Sequence, residues 1–181
     1  DLDQILNVAI EKTMEFLDAD AGIIYLLQED GKTMLLMAHR GLSDEFVKNV
    51  ETIQLGEGIS GRVAAERKPV IMNISHYPSK RLAPFIIKEG VQTLVSVPLL
   101  AKDRMLGAIN IGSRKPDAFP ENKIDTLLSI GIQIGAAIQN AELLIIEQRK
   151  AKQLMTINRI GQNIASFMDV EKLFSLVVKL I

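Results

Sequence analysis

The sequence predicts an α+β protein in which antiparallel strand pairs form a central sheet covered by helices, followed by one long C-terminal helix. Two pairs of apolar segments, 21–28 with 33–40 and 91–101 with 105–113, are each separated by a short polar turn, the pattern of β-hairpins. The second pair is apolar at almost every position, so its sheet is expected to lie between two layers. Helical spacing brackets the strands, with apolar residues recurring every three or four positions over 2–17 and again beyond Pro120.

In chain order, 2–17 sets Leu2, Ile5, Leu6, Ala9, Ile10, Met14 and Leu17 on one helical face, with Asp1 able to cap and Asp3 in the first turn. This helix is expected to pack on the sheet. Asp30-Gly31 suits a tight two-residue turn, and the adjacent Leu26 and Leu27 mark a strand covered on both faces. Gly41-Leu42-Ser43-Asp44 starts a short helix reaching about Val50.

Next come Gly56, Gly58 and Gly61, which spell G-x-G-x-x-G, and Val63 extends this to the kinase-type glycine loop. Context argues against phosphate binding. A dinucleotide fingerprint needs a buried strand leading into the glycines and an acidic residue about 20 positions on. Here the approach is Thr52-Ile53-Gln54-Leu55 and the far position falls near Lys80 and Arg81. The lysine strand and the paired aspartate loops of a kinase do not follow. The glycines read instead as turn residues, with Ser60 as N-cap of a helix through Glu66 that Lys68-Pro69 closes.

Residues 70–74 read as a short strand, and Ser75-His76-Tyr77-Pro78 turns into a helical piece over 80–88 that Pro84 interrupts. Strands 91–101 and 105–113 are joined by Lys102-Asp103-Arg104, with Thr93, Ser96 and Asn110 their polar exceptions. A register that pairs Ser96 with Asn110 puts both on one face, and a one-residue slip sends them apart. Both registers fit the sequence. Beyond Pro120, Leu127, Ile130, Ile134, Ala137, Ala141 and Leu144 step by three and four as a coiled-coil-like seam, able to cover the sheet and to meet a partner helix. After a polar stretch over 147–153, Leu154, Ile157, Ile160, Ile164 and Phe167 resume the spacing. Residues 169–178 match 1–10 in character, as a truncated copy of the first helix would. The expected organisation is a domain over 1–145, a helical linker over 146–168, and the start of a second such domain over 169–181.

Taken together, G-E-G-I-S-G-R-V-A from Gly56, K-P-V from Lys68, V-S-V-P-L-L from Val95 and L-G-A-I-N-I from Leu106 resemble the GAF family of small-molecule sensor domains, over about residues 1 to 145. The resemblance implies an α/β sandwich: a central antiparallel sheet of about five to six strands with helices on both faces. It also implies a ligand pocket on the side away from the terminal helices. Cyclic-nucleotide-binding members carry Asn-Lys at the end of the last strand and then Phe-x-x-x-Asp-Glu. This chain has Asn110-Ile111 and Phe119-Pro120-Glu121-Asn122-Lys123-Ile124, which argues against cyclic GMP or AMP. Bilin-binding members attach their chromophore through cysteine, and the GAF-like methionine sulfoxide reductases also use cysteines; this chain has none.

Composition narrows the remaining classes. Of 181 residues, 48% are hydrophobic and 24% charged, ordinary globular usage for one domain with an appendage. A net charge of −1 without a basic run gives no footprint for nucleic acid. The lack of cysteine removes disulfides, thiolate metal sites and a cysteine nucleophile, and is compatible with the cytoplasm. No apolar run is read as approaching the roughly 20 residues of a membrane span, so no membrane contact is expected. The chain starts at Asp1 without methionine and reads as part of a longer protein.

His39 and His76 stand without ligand partners at metal spacing, and no metal site is expected. No Gly-x-Ser-x-Gly elbow and no carboxylate dyad stands out, so no catalytic residue is assigned. The candidate ligand-binding set is Tyr77, Arg81, Phe85, Thr93, Ser96 and Asn110, with His76 at the rim that the resemblance implies. The expected function is a non-catalytic regulatory module that binds a small cytoplasmic ligand of unknown identity and signals through a dimeric helical linker. From the resemblance, the output is a histidine kinase, a diguanylate cyclase or a transcription regulator. The alternatives are a ligand-free dimerisation scaffold and a small enzyme acting in the same pocket.

Overall fold

The computed structural model describes residues 2–178, with side chains described for 2–160 and 162. Six strands form one antiparallel sheet in the order β3-β2-β1-β6-β5-β4. In chain order the elements are α1 (Leu2–Leu17), β1 (Ala21–Leu27), β2 (Thr33–Arg40), α2 (Asp44–Val50), β3 (Thr52–Gln54), α3 (Gly58–Glu66), β4 (Val70–Asn73), α4 (Ala83–Lys88), β5 (Thr93–Ala101), β6 (Arg104–Ser113) and α5 (Ile124–Val178). Chain contacts divide the molecule into 1–140, which holds the sheet, and 141–181.

Both faces of the sheet are covered, which explains why β1 is buried at six consecutive positions and β5 at seven. One face packs Ile24, Val97, Leu99 and Ile109 against Leu6 and Ile10 of α1 and Leu127, Ile134 and Ile138 of α5. The other packs Ile23, Tyr25, Leu94 and Ala108 against α2, α3 and α4 through Phe46, Val63 and Ile86. α5 lies close on β5 because two of its residues lack side chains. A Cβ on Gly131 would stand 2.4 Å from the Pro98 carbonyl oxygen, and one on Gly135 only 2.2 Å from that of Leu100.

Several local features differ from the sequence reading. The first hairpin has no two-residue turn: Gln28 N–H donates to the Thr33 carbonyl at 2.8 Å, leaving four residues between. Asp30 organises this loop by accepting from Lys32 N, Thr33 N and the Thr33 hydroxyl, and the last of these contributes most to holding its carboxyl down at about 2. The second hairpin is the tight one, with Ala101 paired to Arg104 across Lys102 and Asp103. Thr52–Gln54, read only as an approach to the glycines, is a strand on β2. Pro84 does not interrupt a helix; it sits in the first turn of α4, where a missing N–H goes unnoticed. α5 does contain an 18-residue window with the length and apolarity of a membrane span, because its glycines, alanines and glutamines do not interrupt it. The span from Glu121 to Ile160 that holds it also supplies Leu127, Ile134 and Ile138 to the sheet core. α5 is continuous through 146–178, while residues 179–181 of the suspected second copy lie outside the described residues.

Candidate functional site

The register left open by the sequence is resolved in favour of pairing: Ser96 stands opposite Asn110, Asn110 opposite Ile23, and Ser96 opposite Val70. This row crosses four strands on the face that carries α3. Asn110 donates through Nδ2 to the hydroxyl of Ser60, one turn into α3. Among the described residues its Oδ1 has no hydrogen-bond partner, and neither has Oγ of Ser96, which is fully buried. Buried polar atoms without partners are uncommon in folded proteins.

Asn110 lines a cavity of about 50 Å³ between the sheet and the helices. Ile23 and Leu94 form its floor, Ile59 and Ser60 one wall, and Phe46, Tyr77 and Leu82 others. No Asp, Glu, Lys, Arg or His is among its lining residues. Tyr25 donates its hydroxyl to the Val50 carbonyl at 2.7 Å, and burial pushes its phenol well up from the ordinary value. Burial also pushes the phenol of Tyr77 up to about 12, so both rings are neutral at pH 7. Tyr77 accepts from Ile59 N–H at 3.3 Å.

That contact also explains the glycine motif. The Ile59 amide in the first turn of α3 donates to the Tyr77 hydroxyl, and Glu57, just before the helix, makes no cap to its amides but accepts from Gln54 N and pairs with Arg81. Gly58 has φ +60°, and a Cβ there would stand 2.6 Å from the Tyr77 hydroxyl oxygen. Gly58→Ala is therefore expected to cost about 1–3 kcal/mol. Thermal unfolding should show it as a melting temperature lower by about 3–10 °C.

Of the sequence-predicted set, Tyr77 and Asn110 line the cavity and Ser96 lies in the same row of the sheet. Thr93 is three residues from Ser96 and so turns to the opposite face, where its hydroxyl donates to the Lys115 carbonyl at 2.9 Å. Arg81 sits at the rim, half exposed, its Nε 2.7 Å from Glu57. The pair lowers the Glu57 carboxyl and raises the Arg81 guanidinium, each chiefly through their shared hydrogen bond. Phe85 packs beside Phe46 and Lys88, away from the cavity. His76 is exposed, with Nδ1 3.2 Å from the Ser75 hydroxyl. Among the described residues no cluster of three or more His, Asp or Glu is placed to hold a metal. Sequence reasoning missed Ser60, which is not the N-cap: α3 begins at Gly58, and Ser60 is buried under the helix. It also missed Leu82 and Ile86, whose i, i+4 spacing on the turn into α4 was the available signal.

A family model described as GAF domain matches residues 1–139. The chain belongs to the GAF family. It is 26% identical over 170 residues to the sensor histidine kinase YhcY of Bacillus subtilis, covering 91% of this chain and 44% of that protein. The chain thus spans less than half the length of this curated relative. The crystal structure of the GAF domain from an Acinetobacter phosphoenolpyruvate-protein phosphotransferase superposes with a TM-score of 0.65 at 26% identity, covering 79% of this chain and 85% of that one. A free methionine-R-sulfoxide reductase from Neisseria meningitidis shares the GAF fold with a TM-score of 0.64 at 17% identity, covering 80% and 81%. At that distance the likeness concerns fold alone.

Proposed function

We propose that this GAF domain is the non-catalytic sensor of a larger cytoplasmic signalling protein, binding a small molecule between the sheet and α3 and reporting it through a dimer of α5. The observation that carries the ligand part is Asn110, which lines a cavity and whose buried carbonyl oxygen has no hydrogen-bond partner among the described residues. The regulatory part draws support from relatives that are sensor histidine kinases and phosphotransferase components. Transmission has a short route. Asn110 lies on β6, β6 pairs with β5, and β5 carries α5 at Gly131 and Gly135 on the opposite face. A ligand that binds two arrangements of these strands unequally shifts their populations. Closure of segment 75–88, which carries Tyr77 and Leu82, would accompany it.

In this reading the dimer seam lies further along α5 than the row expected from the sequence. Leu127, Ile130 and Ile134 pack on the sheet, Ala137 is half-buried, and Ala141 and Leu144 continue that row. Further along, Leu143, Ile146, Lys150, Gln153, Ile157 and Ile160 step by three and four as a heptad seam. Its four apolar members are about half exposed or more, from 48% for Ile146 to 63% for Ile157. A second copy of α5 covers them in this reading, with Lys150 and Gln153 as a polar layer that selects register. Leu143→Lys with Ile157→Lys should turn a dimer into a monomer by sedimentation without lowering the melting temperature of the domain. An unchanged dimer would remove this seam.

The test of sensing is native mass spectrometry of the gently purified chain, followed by thermal shift against a metabolite library. A retained mass, or saturable stabilisation of about 2.7 kcal/mol at a hundred times Kd, supports sensing. If no compound is retained or stabilises, the ligand-free scaffold is the better account.

A further inference from the structure

Resting on the sensor reading, we infer that the cavity takes a small uncharged molecule carrying a hydrogen-bond acceptor, a ketone or similar carbonyl, set against the hydroxyls of Ser60 and Tyr77 and the amide of Asn110. Three observations set this chemistry. The first is an excess of donors. Ser60 and Tyr77 line the cavity, and each hydroxyl accepts, Ser60 from Asn110 Nδ2 and Tyr77 from Ile59 N–H, while neither O–H has an acceptor among the described residues. Asn110 Nδ2 spends one N–H on Ser60 and keeps the other. Its Oδ1 is buried, so Nδ2 is the side-chain polar atom that Asn110 has left for the cavity. The three donors stand together, since Ile59 directly precedes Ser60 in the first turn of α3. Tyr25 adds none, its O–H being given to the Val50 carbonyl. A hydroxyl oxygen tolerates an unfilled lone pair, whereas a buried O–H or N–H without an acceptor costs more, so the complement of this lining is an acceptor. The second is charge. No ionisable side chain except two neutral tyrosines lines the cavity, and the nearby cation, Arg81, is paired with Glu57 at 2.7 Å. Neutral donors suit a carbonyl oxygen, but a carboxylate, phosphate or ammonium entering here would lose its water without gaining a counter-ion. The third is size. At about 50 Å³ the cavity is far below the roughly 300 Å³ at which drug-sized ligand pockets begin. Small ketones and esters match all three requirements; nucleotides, oxo acids and amino acids fail the second.

The test uses isosteres that differ only in the acceptor: butanone and 2-methyl-1-butene, in which a methylene replaces the carbonyl oxygen, with butyrate and butylammonium as charged probes. Binding is read on the methyl resonances of Ile23, Ile53, Ile59, Leu82, Ile86 and Leu94 in the whole chain, residues that line the cavity. The expected result is that butanone moves these methyls at or below the concentration the alkene needs, although burial of apolar surface alone favours the alkene. Tyr77→Phe and Ser60→Ala each remove an O–H and should each raise the butanone dissociation constant about fivefold, with that of the alkene changed by less than about twofold. Because the isostere comparison is made on the unaltered protein, it stands whatever the variants do. Tighter binding of the alkene to the parent overturns the acceptor assignment, and folded variants that both bind butanone as the parent does overturn the role of these hydroxyls. Tighter binding of butyrate or butylammonium than of butanone overturns the uncharged class and leaves the sensor reading standing. Methyls that none of the probes moves overturn the proposal; if the metabolite library also stabilises nothing, the sensor reading falls with it.

Discussion

Gly135→Ala should destabilise the domain by about 2–3 kcal/mol, against the sign that helix propensity gives. In an exposed helix the same change gains about 1 kcal/mol, since alanine restricts the unfolded chain and suits the helix. Here the added Cβ would stand 2.2 Å from the Leu100 carbonyl oxygen and 2.8 Å from its nitrogen. Backbone of a central strand cannot yield as a side-chain tip would, so α5 must lift from β5 and open the contacts of Leu127, Ile134 and Ile138. Urea unfolding of Gly135→Ala beside Asn140→Ala, an exposed position of the same helix, measures both signs at once. A Gly135→Ala protein as stable as its parent would show that the helix does not rest on the strand.

Ile134→Lys is expected to be more severe, on the order of 4 kcal/mol or beyond, and to act by unfolding the domain rather than by parting a dimer. Ile134 is 8% exposed and belongs to the cluster of α1, α5 and the sheet. The change removes an apolar side chain from that cluster and asks an ammonium group to replace it. The two effects are separable by experiment. Circular dichroism and sedimentation of Ile134→Lys should lose folded signal together with association, whereas the Leu143→Lys, Ile157→Lys pair should lose association alone. A folded, monomeric Ile134→Lys protein would return the dimer seam to the row that begins at Leu127.

These two cases show what the sequence made legible. The step of three and four along α5 was readable, and so was the burial of β5 and β6, because periodicity and continuous apolar runs report directly on faces. Which surface a helical stripe meets was not readable. Leu127, Ile130 and Ile134 carry the spacing of a coiled coil, but the signal that they lie on a sheet is in Gly131 and Gly135, which periodicity counts as blanks. The site shows the same division. Ser96 and Asn110 were conspicuous as polar residues in apolar strands, yet their meeting depends on a register fixed by the tight Lys102–Asp103 turn and by an irregularity between Leu99 and Leu100. Thr93 was conspicuous for the same reason and faces the other way by parity alone. Ser60 looked like a cap because serine before a helix usually is one; the helix begins two residues earlier, since Gly58 can take the left-handed φ that opens it. Phe85 and Arg81 were chosen for chemical type, and type does not say on which side of α4 or of the rim a side chain falls.

The outer strands of the sheet have a consequence for how the molecule meets its neighbours. β3 is three residues long and β4 four, with Pro69 directly before β4 and a 3-10 turn, Ile74–His76, directly after it. Such margins offer a visiting chain too few consecutive amides and carbonyls to grow a shared ladder. Strand exchange and sheet-to-sheet growth, the usual route from a crowded β protein to fibrils, find little to extend at either end. Copies of the chain brought to high concentration are therefore expected to keep their sheets apart.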